Sequence, residues 1–233
     1  MGGKELATAL DENHTKIYRM LETLEAENFL KKNEATKKYS LGFAVWELGI
    51  TLYDSFHVSD IIHPSLKKLC DRTGESTFLT VLDQQEAVTF DAVEADNTVK
   101  FSVAIGDRAP LYAGASYRSI LAYMPDAFIQ SILGQELVQY TESTMTSRDE
   151  IERDLYRIRE KGYALSYGEY TRDVVAVAVP IFNKGRIAGS VTVSGPQYRI
   201  DEKKEKHFID ELKQTKEEIE LSFQRYNVSL SLQ

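Results

Sequence analysis

The sequence predicts an α+β protein in two parts: a small helical N-terminal part and a larger part with an antiparallel sheet flanked by helices. Three observations predict it. From Asp11 to Leu30 apolar residues recur at helical spacing. From residue 75 onward, runs rich in β-branched and aromatic residues alternate with short polar turns. The elements then follow the order β-β-β-α-α-α-β-β-β-α, which suits an antiparallel sheet with helices against it.

The N-terminal elements come first. Lys4 to Leu10 reads as a short helix, and Asp11 reads as the N-cap of the next one. In that helix Ile17, Met20, Leu21 and Leu24 fall at i, i+3, i+4 and i+7, one apolar stripe, while Thr15, Lys16, Arg19, Glu22 and Thr23 take the other face. Asn28 reads as its stop. "FLKKNEATKKYSLG" reads as a hairpin of two short strands around a lysine-rich turn. Phe43 to Phe56 reads as a helix whose apolar residues, among them Val45, Trp46, Leu48, Ile50, Leu52 and Tyr53, lie on more than one side. Such a helix needs several partners, and residues 43–57 read as a connector packing on a second subunit.

The larger part begins with a helix from Ser59 to Arg72, which contains His63 and Pro64. "STFLTVLD", "EAVTFDAVEA" and "TVKFSVAIG" read as three strands. "SYRSILAYM" and "DAFIQSIL" read as short helices split at Pro125. Ser147 to Gly162 reads as a helix opened by a capping box of Ser147 and Glu150. "YALSYGE", "VVAVAVPIFN" and "RIAGSVTVSG" read as strands, the last two turning at "NKGR". Asp201 caps a final charged helix that reaches about Tyr226. The domains expected are 1–42, 43–57 and 58–233.

Composition narrows the function. With 42% hydrophobic and 27% charged residues, the chain has enough apolar surface for a substantial core. Its net charge of -8 excludes a protein basic throughout. Residues 1–40 carry seven Lys/Arg against seven Asp/Glu, so the acidity belongs wholly to the remainder and leaves room for a local DNA-binding face. Cys70 is the only cysteine and reads as a buried, reduced thiol. The opening residues lack the apolar core of a leader, and no apolar run approaches the roughly 20 residues of a membrane helix. The expected location is the cytoplasm, away from membranes.

Two helices joined by a short turn and followed by a basic hairpin have the layout of a winged helix-turn-helix, whose second helix enters the major groove of double-stranded DNA. The residues expected to meet DNA are Asn13, His14, Thr15, Lys16, Tyr18 and Arg19 on that helix. Lys31, Lys32, Lys37 and Lys38 of the hairpin are expected on backbone phosphates. A plain helical hairpin with a solvated face fits the spacing equally well.

The rest of the chain resembles the IclR family of bacterial transcriptional regulators. "KELATALDENHTKIYRMLETLEAENFLKKNEATKKYSLG" is similar to its recognition helix and wing. "IGDRAPLYAGASYRSILA" from Ile105 resembles its Gly-x-Arg-x-Pro-Leu segment. "GYALSYGEYTRDVVAVAVPIF" from Gly162 and "SVTVSGPQYRI" from Ser190 resemble its Gly-Glu, Ala-x-Pro and Ser-Gly-Pro-x-x-Arg runs. The resemblance spans nearly the whole chain in order. It implies a winged helix-turn-helix, a linker helix and a GAF-like sensor domain. It also implies a homodimer or a tetramer formed as a dimer of dimers, a near-palindromic operator, and a small-molecule effector such as an organic acid. The expected function is a transcriptional regulator, most plainly a repressor, without a cofactor.

The chain departs from the family pattern in three places. The family has a further helix before the segment that begins here at Gly3; either the opening residues replace it or it is missing, in which case part of the stripe of Ile17, Leu21 and Leu24 is expected to lose its cover. His14 and Lys16 stand where Lys and a small hydroxyl residue are usual, which leaves the operator unassigned. Tyr117 and Arg118 stand where a small residue and Lys are usual, which predicts a bulkier pocket mouth.

In "SVTVSG", Ser190, Thr192 and Ser194 share one face of the strand, toward a cavity or toward solvent. By resemblance, Thr192 and Ser194 line the effector pocket. Gly106, Ala113 and Gly114 flank a loop whose amides bind a carboxylate. Tyr170 and Asp173 form a lid, and Ala176, Ala178 and Pro180 form a wall. Glu169 reads as a ligand contact or a turn residue. Arg108 and Arg199 read as anion contacts or, more simply, as partners of Asp or Glu.

An enzyme is the main rival reading, but no Gly-x-Ser-x-Gly elbow or Gly-rich phosphate loop is present. His14, His57, His63 and His207 have no metal-ligand spacing with one another or with Cys70, so no metal is expected. A ligand-binding or oligomerisation module without effective DNA binding is the second rival.

Overall fold

The computed structural model describes residues 1–56 and 58–226, and the chain forms two compact units, Met1–His57 and Val58–Gln233. The expectation for His57, and for the side chains of Leu52 and Tyr53, falls outside what is described.

The first unit contains α1 (Gly3–Ala9), α2 (His14–Ala26), β1 (Leu30–Lys32), β2 (Tyr39–Leu41) and α3 (Phe43–Phe56). Its core is Ala7, Ile17 and Leu21, with Leu6, Leu30 and Tyr39 packed against them. The expected stripe on α2 therefore splits. Ile17 and Leu21 are covered, whereas Met20 is 54% and Leu24 41% exposed. The cause is geometric: α1 and the hairpin are narrow, and they shield only the side of α2 that faces them. The N-cap of α2 is Asn13, not Asp11. Asn13 Oδ1 accepts from the Thr15 amide at 2.8 Å, while Asp11 takes a positive φ of 50° in the preceding turn. β1 and β2 pair antiparallel, and the Tyr39 amide donates to Met1 O at 2.9 Å, so the first residues lie along β2.

Gly42 fixes the exit into α3. A Cβ there would stand 2.0 Å from Asn28 O, so only glycine permits the approach. Gly42 N then donates to Phe29 O and Ala44 N to Asn28 O. On α3, Phe43, Trp46, Leu48 and Ile50 are exposed, with the Phe43 and Trp46 rings 4.6 Å apart.

The second unit contains α4 (Val58–Thr73), β3 (Ser76–Asp83), β4 (Glu86–Val93), β5 (Arg108–Pro110), α5 (Ala115–Leu121), α6 (Asp126–Leu133), α7 (Arg148–Lys161), β6 (Ala164–Tyr167), β7 (Val174–Asn183), β8 (Arg186–Pro196) and α8 (Glu202–Tyr226). It is the expected α+β arrangement: a six-stranded antiparallel sheet in the order β5-β4-β3-β8-β7-β6, with helices packed on it. Two expectations fail locally. The third strand is not "TVKFSVAIG". Residues 98–105 run without regular structure, and the strand is the shorter Arg108–Pro110 on the sheet edge. The Ser147 side chain makes no cap hydrogen bond, so the expected capping box does not form, although Ser147 is the N-cap.

Register decides what each sheet face meets. Ser194, Thr192 and Ser190 of β8 stand beside Ser76, Phe78 and Thr80 of β3 and Ala176, Ala178 and Pro180 of β7. The alternate positions, Thr77, Leu79, Val175, Val177, Val179, Val191 and Val193, form a buried face of branched side chains. α4 serves that second face, where Thr77 Oγ1 donates to Leu66 O at 2.9 Å. α5 lies on the first face, and small or hydroxyl side chains there let it come close. All seven α5 residues are buried. Ser116 and Thr80 hydroxyls pair at 2.8 Å, and Ser119 Oγ donates to Ser190 Oγ at 2.7 Å. Behind α5, Leu111, Ile120, Leu121, Ile132, Ile151, Leu155 and Ile158 complete a core with α6 and α7. Among the described residues no helix is long and apolar enough to cross a membrane.

Candidate functional sites

On the first unit, Asn13, Thr15, Lys16, Arg19, Met20, Thr23 and Leu24 line one shallow groove along the outer face of α2. His14, Thr15, Lys16 and Arg19 are all exposed. Asn13 spends its side-chain oxygen on the cap, which leaves its amide N–H groups to face outward. Tyr18 stands apart from this face: a Cβ on Gly3 would lie 2.9 Å from Tyr18 Cζ, so the ring is against α1. Lys16 pairs with Glu12, and Lys37 pairs with Glu34 at 2.6 Å. Both pairs are solvent-exposed and weak, so neither withholds its cation from another anion. Lys32 Nζ lies 5.8 Å from the Tyr39 ring centroid, and Tyr39 raises its pKa. Lys31 and Lys38 are exposed.

The second unit carries two adjoining spaces. A cleft of about 1140 Å³ lies between residues 99–108, residues 170–174 and residues 196–198. Deeper, an inner cavity of about 40 Å³ is lined by Phe78, Phe101, Gly114, Ser116, Ser166, Glu169, Ala176 and Ser194, among others. Tyr117 and Tyr170 line both spaces. Their rings meet edge to face with centroids 5.7 Å apart, and Tyr140 packs on Tyr170 at 4.8 Å. Burial pushes the phenols of Tyr117 and Tyr170 above their ordinary pKa, so both remain neutral. Gly114 has φ 118°, a conformation glycine adopts freely, and it brings the chain against the Tyr117 ring.

Of the expected effector residues, Gly114, Tyr170, Ala176 and Ser194 line the inner cavity, and Asp173 lines the cleft beside Tyr170. Gly106, Ala113, Ala178, Pro180 and Thr192 line neither space. Ala113, Ala178 and Thr192 are fully buried. Thr192 stands between Phe78 and Ala178, one register pair further along the sheet, and its hydroxyl has no hydrogen-bond partner among the described residues. Ser194 Oγ donates to Val175 O at 3.0 Å, so its oxygen is left to accept from a ligand hydroxyl.

The inner wall hides a charge cluster that sequence reasoning assigned only in part. Arg118 is wholly buried. Its Nε donates to Asp154 at 2.7 Å and its Nη2 to Glu169 Oε1 at 2.9 Å. Nη1 also pairs with Glu169, and Tyr112 O and Leu165 O accept from Nη1 and Nη2 at 3.2 and 3.0 Å. Burial opposes the charge, but the two carboxylates outweigh it and raise the guanidinium pKa. The carbonyl of Glu169 is itself held by Thr144 Oγ1 at 2.6 Å. Glu169 is thus both a cavity-lining residue and a turn anchor, with its charge already neutralised. Arg199 pairs with Glu75 at 2.6 and 2.7 Å, and Arg108 with Asp83 and Glu86, so both serve structure. Phe101, Ser116 and Ser166 were missed as lining residues; the loop carrying Phe101 reads as strand in sequence, and the two serines have no distinguishing neighbour.

Residues 50–221 match the family model described as bacterial transcriptional regulator IclR, C-terminal. The chain is 31% identical over 211 residues to the HTH-type transcriptional regulator KipR of Bacillus subtilis, covering 90% of this chain and 84% of that one. It is 26% identical over 200 residues to the transcriptional repressor IclR of Escherichia coli, covering 84% and 73%. Its fold is shared with an IclR homolog of Microbacterium hydrocarbonoxydans solved in complex with 4-hydroxybenzoate, at a TM-score of 0.84 and 19% identity over 97% of this chain and 92% of that one.

Proposed function

The chain belongs to the IclR family of bacterial transcriptional regulators, not to an enzyme family, and on that premise we propose how its two units divide the work. Residues 1–42 act as a winged helix-turn-helix that reads a near-palindromic operator, residues 43–57 join copies of the chain, and residues 58–233 sense an effector. The observation that carries the DNA reading is the outer face of α2. Thr15, Lys16 and Arg19 are gathered there without cover, and the hairpin presents Lys31, Lys32, Lys37 and Lys38. Arg19 suits a guanine edge or a phosphate, and the hairpin lysines suit phosphates. His14 lies at the start of the helix, where base edges are met, and Tyr18 supports α1 rather than DNA.

The effector reading rests on the inner cavity. Hydroxyls of Ser194 and Ser166, small side chains at Gly114 and Ala176, and the Tyr170–Asp173 rim suit a small organic acid bearing a hydroxyl. Ala178, Pro180 and Thr192 continue the same sheet face beyond Ala176 and Ser194. The relative bound to 4-hydroxybenzoate, a larger hydroxy acid, supports an organic acid as the ligand class. Exposed Phe43, Trp46, Leu48 and Ile50 on α3 support a dimer or a dimer of dimers. An effector that binds one dimer arrangement better than another shifts the population between them, and with it repression.

Fluorescence anisotropy of the protein on the DNA upstream of its own gene tests the reading. We expect binding at low salt that weakens steeply as salt rises. Arg19→Ala and Lys31→Ala should each weaken it and lower the salt slope by about 1. No binding at low salt would sink the proposal.

A further inference from the structure

We infer that Tyr117 sets the size of ligand that the inner cavity admits, so that an aromatic acid enters only when the Tyr117 ring is removed. The inference rests on the reading of that cavity as the effector site, and it adds which residue decides what fits. Tyr117 is 9% exposed and lines both the inner cavity and the outer cleft. With Phe101, Tyr170, Thr171 and Val174 it stands between a space of about 40 Å³ and one of about 1140 Å³, and of these five it is the one carried on the buried helix α5. The inner space holds no more than a few waters, since a single water needs at least about 10–15 Å³. Ligand sites of ordinary size run to roughly 300–1,000 Å³.

The partition is held in place. Its helix cannot recede, because α5 is buried at every residue. Ser116 and Ser119 are bonded to the sheet, and Arg118 is bonded to Glu169, Asp154 and two carbonyls. On its outer side the ring meets Tyr170, which is backed by Tyr140. On the chain side a Cβ built on Gly114 would stand 3.3 Å from Tyr117 Cδ2, so the backbone there lies close to the ring. With the α5 backbone held in this way, the Tyr117 ring can clear the passage only by a rotamer change, and Tyr170 hinders it. A short hydroxy acid, a few heavy atoms long, fits the inner space and meets the acceptor oxygen of Ser194. A benzene ring does not. Removing the Tyr117 ring merges the two spaces and places an aromatic ligand against Phe101 and Phe78, whose rings are 6.0 Å apart.

Isothermal titration calorimetry of the full chain with 4-hydroxybenzoate tests this, using wild type, Tyr117→Ala, Tyr117→Leu and Tyr117→Phe, each checked for its folded circular dichroism spectrum. We expect Tyr117→Ala to bind 4-hydroxybenzoate at least tenfold more tightly than wild type, with Tyr117→Phe behaving as wild type. Tyr117→Leu carries the same expectation if the alanine variant does not fold. Equal affinity in wild type and the truncated variant, including no binding by either, overturns the inference. Anisotropy on operator DNA separates the two claims. If 4-hydroxybenzoate gains affinity for the truncated variant yet leaves DNA affinity unchanged, Tyr117 is the partition but the cavity is not the effector site.

Discussion

Arg118→Leu should be among the most destabilising single changes in the second unit. The guanidinium directs its five N–H groups to Asp154, Glu169, Tyr112 O and Leu165 O, and its side chain has no exposed surface. Leucine fills much of the volume but answers none of these acceptors. Asp154 keeps a second partner, Arg157 at 3.0 Å, and is partly wet. Glu169 does not have that relief, because its side chain is 8% exposed. Stranding a buried carboxylate in this way costs about 3–5 kcal/mol. For a unit of this size each kcal/mol lowers the melting temperature by about 2–4 °C, so the expected fall is roughly 6–20 °C. Differential scanning calorimetry of wild type, Arg118→Leu and the double variant Arg118→Leu/Glu169→Leu measures it. Removing both charges should recover most of the loss, since the penalty comes from an unpaired charge rather than from a missing attraction. A single-variant loss below about 1 kcal/mol, or a double variant as unstable as the single, would refute the reasoning.

Two further outcomes follow from buried polar groups. Burial pushes the Tyr112 phenol up to about 12, from an ordinary value near 10 in the unfolded chain. The folded state keeps that proton longer, so its contribution is fully present below about pH 10. It is lost as pH rises from about 10 to about 12. Urea melts across that range should show a shallower alkaline decline for Tyr112→Phe, and an unchanged slope would contradict the assignment. Thr192→Val should raise stability by about 1 kcal/mol, because it replaces a buried hydroxyl that has no hydrogen-bond partner among the described residues. A loss of stability in guanidinium melts would show that the hydroxyl is satisfied after all.

How far the sequence foretells this molecule depends on the range over which each cue acts. Alternation in "SVTVSG" placed Ser190, Thr192 and Ser194 on one face, because pleating is local. Which of the three reaches the cavity depends on where α5 and Phe78 lie above the sheet, and neighbouring residues carry no trace of that. The stripe on α2 was read as a single surface, yet burial is decided by the width of what packs on it, so Met20 and Leu24 stay exposed. "TVKFSVAIG" has the composition of a strand, but Phe101 is drawn inward against Phe78 and Arg199 binds Val99 O, which takes the segment off the sheet. Of the two departures expected at the pocket mouth, Tyr117 lines the pocket, whereas Arg118 is buried on Asp154 and Glu169 and lines neither space. The Arg118 cluster itself joins residues up to 51 positions apart, beyond any local pattern.

The close approach at Gly42 bears on how a signal could be carried. Because the chain there lies against Asn28, with Gly42 bonded to Phe29 and Ala44 to Asn28, the start of α3 is welded to the end of α2. There is no slack joint between them. A rotation of the start of α3 away from the end of α2 has to break these two hydrogen bonds and the close packing at Gly42. A side chain at position 42 would push the chain off Asn28 and loosen the start of α3 from the end of α2.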